Sequence, residues 1–109
     1  MPIPGTSSSS DKDVFYSDRF KTMVRSEKEL FLRSVTNVPI MERNVLYAYR
    51  NDFYRLLRAY NVQPHMYWAV AYLNGIEDPT QDITHLTSFY NIDENILTKA
   101  MARSSTVRG

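Results

Sequence analysis

The sequence predicts an α+β protein: a small strand–helix–helix–strand module, residues 41–92, carried between helical N- and C-terminal extensions. Three observations point there. Asn51–Pro79 (NDFYRLLRAYNVQPHMYWAVAYLNGIEDP) holds a helix start, two apolar stripes at helical spacing and an Asn-Gly stop. Val45–Arg50 (VLYAYR) alternates side chains as a strand does, with Val45, Tyr47 and Tyr49 on one face. Ile83–Ile92 is rich in β-branched and aromatic residues and reads as a returning strand. One alternative stays open, an all-α helical bundle of two helix-turn-helix units. A thirty-residue shift overlays Leu56, Tyr60, Asn61, Val62, Met66 and Val70 on Leu86, Tyr90, Asn91, Ile92, Ile96 and Ala100, as a duplicated helix pair would.

Residues 1–12, MPIPGTSSSSDK, have too little apolar surface to offset the entropy of ordering and are expected to form a disordered arm. Residues 13–40 form an N-terminal extension, mostly helical. Ser17 is placed to cap a helix with Phe20, Met23 and Val24 on one face. Ser26 and Glu29 have capping-box spacing ahead of Leu30, Phe31, Val35 and Val38, and the segment ends before Pro39.

For 41–50 two readings compete. Met41, Val45, Tyr49, Phe53, Leu56 and Tyr60 recur at helical spacing, as one helix from Glu42 to Tyr60 requires. The polar pair Asn51-Asp52 can instead cap a new helix after a strand, and the strand, turn and helix reading is preferred. Asp52–Asn61 is then a helix burying Phe53, Leu56, Leu57 and Tyr60, with Asn61 left-handed at its end. Pro64 suits the first turn of the next helix, whose stripe is Met66, Tyr67, Val70 and Leu73, broadened by Trp68, Ala69 and Tyr72. Asn74-Gly75 stops that helix and Asp78-Pro79 continues the turn. Residues 93–109 form a C-terminal helix, Asp93–Arg103, and a frayed tail.

The totals exclude several classes of function. A chain of 109 residues is one domain, small enough that assembly with other chains is an expected source of stability. With no Cys, neither disulfides nor thiolate metal sites are available. A formal net charge of +1 gives no long-range field for nucleic acid or an anionic membrane. Arg50, Arg55 and Arg58 read as the solvated side of a helix. No apolar run approaches the roughly 20 residues of a membrane helix, and the N-terminus lacks a signal pattern. His65 and His85 lie in different elements and are expected to be structural rather than metal ligands. There is no Gly-rich phosphate loop and no Gly-x-Ser-x-Gly elbow. No catalytic, metal-binding or cofactor-binding residue is nominated, and no cofactor is expected.

The segment QPHMYWAVAYLNGIEDP resembles the LysM-like domains of phage tail and baseplate proteins. Tyr60-Asn61, Pro64, Tyr67-Trp68, Asn74-Gly75 and Asp78-Pro79 follow that pattern in order, and Asn51–Tyr60 lies on its first helix. Asn61 stands where Gly is usual, and the returning strand lacks the Gly-x-x-Leu-x-Ile-Pro signature. The resemblance implies a non-enzymatic structural component of a phage or phage-like tail, baseplate or neck. Its partners would be other tail and baseplate proteins, met in several copies of a symmetric assembly, with no small-molecule substrate, membrane or nucleic acid. Its location would be the virion, assembled in host cytoplasm, and otherwise the cytoplasm. A helix-turn-helix regulator or adaptor and a cell-wall-binding LysM module are the alternatives. Aromatic residues are 13% of the chain, and Tyr suits surfaces that another protein will cover. The candidate subunit-interface residues are Phe15, Tyr16, Phe20, Tyr47, Tyr49, Tyr67, Trp68 and Tyr72.

Overall fold

The computed structural model describes residues 14–108; the expected arm, residues 1–12, lies outside them. A single 3₁₀ turn, Val14–Tyr16, leads into helix α1 (Asp18–Ser26). The Ser17 hydroxyl oxygen accepts the Phe20 N–H at 3.1 Å, the cap its position predicts, and Phe20, Met23 and Val24 are buried on one face. The Ser26–Glu29 capping box does not form. The Ser26 hydroxyl donates back to the Met23 carbonyl at 3.0 Å, so it is satisfied inside α1 and unavailable to the next helix. Helix α2 (Lys28–Leu32) starts after Glu27 without a side-chain cap.

Strand β1 (Thr36–Pro39) follows, and it pairs antiparallel with β2 (Ser88–Asn91) in the register Thr36↔Asn91, Asn37↔Tyr90, Val38↔Phe89, Pro39↔Ser88. The fold is therefore mixed helix and strand, and the all-α bundle is excluded. The proposed echo fails with it: Tyr60-Asn61 closes a helix, whereas Tyr90-Asn91 belongs to β2. The outer edge of β2 is closed by a side chain. Asn74 accepts the Tyr90 N–H at 2.7 Å and donates to the Tyr90 carbonyl at 2.9 Å. With the Tyr90 backbone turned away from β1, Asn37↔Tyr90 and Pro39↔Ser88 are the non-hydrogen-bonded pairs. Pro39 thus costs the ladder no donor.

Residues 45–50 are not a strand. They lie in helix α3 (Arg43–Ala48) and the turn after it. Strand alternation needs Val45, Tyr47 and Tyr49 on one buried face, yet Tyr47 is exposed and Leu46 is fully buried. The helical set Val45, Leu46 and Tyr49 meets the core instead. The single helix from Glu42 to Tyr60 does not form either. Asp52 caps helix α4 (Phe53–Ala59) by accepting the Arg55 N–H at 3.1 Å. Asn61 has φ of 67°, the left-handed conformation expected at that stop. Pro64 opens a 3₁₀ turn, Pro64–Met66, that runs into helix α5 (Tyr67–Leu73). Gly75 then takes φ of 74°, and nothing would touch a Cβ there, so backbone conformation is what favours glycine.

Only the last part of Ile83–Ile92 is a strand. Ile83 is buried as a loop anchor, its N–H bonded to the Arg50 carbonyl at 2.9 Å. The Phe53 N–H bonds the Pro79 carbonyl at 2.8 Å, and Arg43 reaches the carbonyls of Leu86 (2.7 Å) and Thr84 (3.0 Å). Helix α6 (Glu94–Arg108) closes the fold, packs on α1 and continues through the predicted frayed tail. Phe20, Val24, Phe31, Leu46, Phe53, Leu56, Leu57, Val70, Ile83, Phe89 and Leu97 share one core. The N- and C-terminal segments are walls of that core, and β1 lies upstream of the 41–92 module. Among the described residues no helix is long and apolar enough to cross a membrane.

The loop before β2 repeats one device. Asp78 accepts from the Thr80 hydroxyl (2.7 Å) and N–H (2.9 Å), and Asp82 from the Thr84 hydroxyl (2.6 Å) and N–H (2.8 Å). Those bonds, the hydroxyl's first, hold both carboxyls below the ordinary value; the charges of His85 and Arg50 add to the effect at Asp82. A carboxyl depressed in the folded state stabilises above its unfolded pKa of about 3.9, and that stabilisation is lost as pH falls through the folded value. Thermal melts are therefore expected to drop below about pH 4. The double variant Asp78→Asn/Asp82→Asn should flatten that drop; an unchanged acid limb would remove these turns as its cause.

Candidate interaction surface

Helix α5 buries Ala69, Val70 and Leu73, and this fixes what its other side presents. Trp68 and Tyr72, four residues apart, stand one turn above the other. Their rings stack with centroids 5.3 Å apart and planes within 9°. Phe20 supports the pair from the core, 6.4 Å from the Trp68 ring. From α1, Lys21 Nζ and Arg25 Cζ lie 5.5 and 5.4 Å from the Trp68 centroid. From the start of α2, Lys28 Nζ lies 5.1 Å from Tyr72.

Beside this ladder is an open groove of about 380 Å³, lined by Arg25, Lys28, Tyr54, Trp68, Tyr72 and Glu77, among others. Tyr54 also packs on Tyr67, at 5.2 Å, and burial pushes its hydroxyl pKa up. Past Tyr54 and Tyr67 a second depression, of about 420 Å³, carries Arg55 and Arg58. Arg55 pairs with Asp52 at 3.5 Å, and both side chains are well exposed, so the pair adds little stability.

The predicted interface residues divide. Tyr67, Trp68 and Tyr72 come together on this surface, half-buried. Tyr49 lines a separate depression, shared with Arg55, Arg58 and Ala59. Tyr47 is exposed on α3 beneath Arg43, whose guanidinium lies 5.7 Å from its ring, and Tyr16 is exposed at the N-terminal turn. Phe15 and Phe20 are not surface residues. Both are buried in this chain's own core, their rings 5.0 Å apart, because the first turn packs on the Pro64–Met66 turn and α1 packs on α6.

Sequence reasoning missed Lys21, Arg25, Lys28 and Tyr54. The first three recur at spacings of four and three residues, which was a legible sign of one helical face. The arginines it did single out take ordinary surface roles, and Arg50 donates to the Tyr47 carbonyl at 3.2 Å. His65 is buried, its Nε2 2.8 Å from Glu94 Oε1 and its ring 4.7 Å from Phe15, a placement inside the fold. No group of three or more His, Asp or Glu able to hold a metal occurs among the described residues.

No family model, curated protein or solved structure matches the chain.

Proposed function

We propose that this chain is a non-enzymatic joint between subunits of a larger particle, of the phage or phage-like tail, baseplate or neck kind. The observation that carries this is the Trp68–Tyr72 stack, which a small core leaves only partly covered, with Phe20 below and cations beside it. Large, rigid aromatic rings with a polar rim are the anchors that protein interfaces use. Two further features support the reading. The residues on which the LysM-like resemblance rests adopt the local conformations read from their own chemistry: Asn61 is left-handed, Pro64 opens the 3₁₀ turn that runs into α5, and Gly75 stops that helix. Helices enclosed between two antiparallel strands are compatible with such a module, but the strand expected at Val45–Arg50 is helical here and the strand that pairs with β2 is Thr36–Pro39.

The test is incorporation. Particles purified from the producing cell on a density gradient are expected to contain the chain in several copies. A folded Trp68→Ala/Tyr72→Ala variant should be lost from them, since truncating an interface anchor costs about 2 kcal/mol or more, roughly thirtyfold in binding. Complete particles lacking the wild-type chain would refute the proposal.

A further inference from the structure

Among the described residues, none of the cations at the groove forms an ion pair. Lys21, Arg25 and Lys28 lie against ring faces, and the ion pairs found among the described residues are Arg55–Asp52, His65–Glu94 and Arg103–Glu27. Spaced along α1 and the start of α2, they form a positive row beside a groove whose floor includes Ala71 and Ile76. Each aromatic contact, worth about 0.5–1 kcal/mol at such a site, biases its cation toward the groove and lowers the entropy cost of pairing it.

We propose that this groove binds a short acidic segment of a neighbouring polypeptide. Its carboxylates would pair with Lys21, Arg25 and Lys28, and its aliphatic stems would lie over Ala71 and Ile76. Glu77 also lines the groove and would repel a carboxylate placed beside it. Single-stranded nucleic acid fits less well. A base-stacking site needs free ring faces, and here Trp68 and Tyr72 cover one another while the cations lie over them. The formal net charge of +1 also offers no extended track for phosphates. This inference rests on the subunit-joining reading and names the chemistry of the partner.

Trp68 is the chain's one tryptophan, so its fluorescence reports directly on the groove. Titrating the full chain with an N-acetylated hexaglutamate peptide should give a saturable change, weakened severalfold between about 50 and 300 mM salt. Arg25→Glu/Lys28→Glu should weaken binding roughly tenfold or more, Arg25→Gln/Lys28→Gln by an intermediate factor, and Lys99→Glu on the exposed side of α6 hardly at all. Circular dichroism identifies the variants that remain folded, and the neutral pair carries the test should charge reversal unfold the chain. No saturable signal, equal binding by wild type and the folded charge variants, or tighter binding of oligo(dT) would overturn the proposal. Particle incorporation separates this from the function itself. Normal incorporation of the charge-reversed variant sinks the acidic docking site and leaves the joint intact. Hexaglutamate binding by a chain absent from particles sinks the joint and leaves the acid-binding groove.

Discussion

A fragment cut to residues 41–92 is expected to be unfolded in water at 25 °C, whereas residues 14–108 should fold. The cut runs through the sheet, removing β1 and leaving β2 without its partner. It also removes Phe20, Val24 and Phe31 on one side and Leu97 on the other, each at most 1% exposed in the folded chain. Full burial of such a side chain stabilises by about 1.5–3 kcal/mol, so together they account for roughly 6–12 kcal/mol. A whole domain of this size is stable by only about 5–15 kcal/mol. Far-UV circular dichroism and urea titration of both fragments would measure this. A cooperative urea transition in the 41–92 fragment would show that the terminal helices decorate a self-sufficient module.

That expectation departs from the sequence reading at one place, and the reason is physical. Most local signals were legible where one residue's own chemistry fixes the backbone, the Ser26–Glu29 capping box being the exception. The Ser17 and Asp52 caps, left-handed Asn61, Pro64 in a first turn and Gly75 at a stop all took the expected conformation. The α+β class was legible too, although β1 fell in TNVP rather than VLYAYR. For residues 45–50 both periods fit the apolar residues, and the choice depended on where the core lay. The core sits against Leu46, a position the strand reading placed on the opposite face from Val45, Tyr47 and Tyr49. Thr36–Pro39 carries little apolar signal because three of its four residues are exposed, so its pairing with β2 is a tertiary fact. Phe15 and Phe20 look like docking residues for the same reason. Nothing in the sequence says that the first turn packs on Pro64–Met66 and α1 on α6. The Asn74 side chain, read only as part of a helix stop, also serves as the missing neighbour of β2, which depends on a residue sixteen positions away.

Phe89→Ala is the point substitution expected to cost most. Phe89 is 2% exposed and stands edge-on to Phe53 (6.4 Å, 89°) and Tyr60 (5.6 Å, 82°), joining β2 to α4. Truncation removes both edge contacts and leaves a cavity between a sheet and a helix that are each anchored elsewhere, so collapse is limited. The Phe53 N–H is tied to the Pro79 carbonyl, and the Tyr90 backbone to Asn74. The expected loss is about 3–5 kcal/mol, which for a domain near 100 residues lowers Tm by roughly 15–30 °C. Tyr90→Ala, one residue on, is the control. Tyr90 is 44% exposed on the other face of the strand, and its backbone, which makes the Asn74 bonds, is retained. That change should stay within about 0.5 kcal/mol. Side chains alternate faces along a strand, so a slip of β2 by one residue against β1 would exchange the two roles. A pair of melts in which Tyr90→Ala is the more damaging variant would mean that the register Val38↔Phe89, and the core built on it, is wrong.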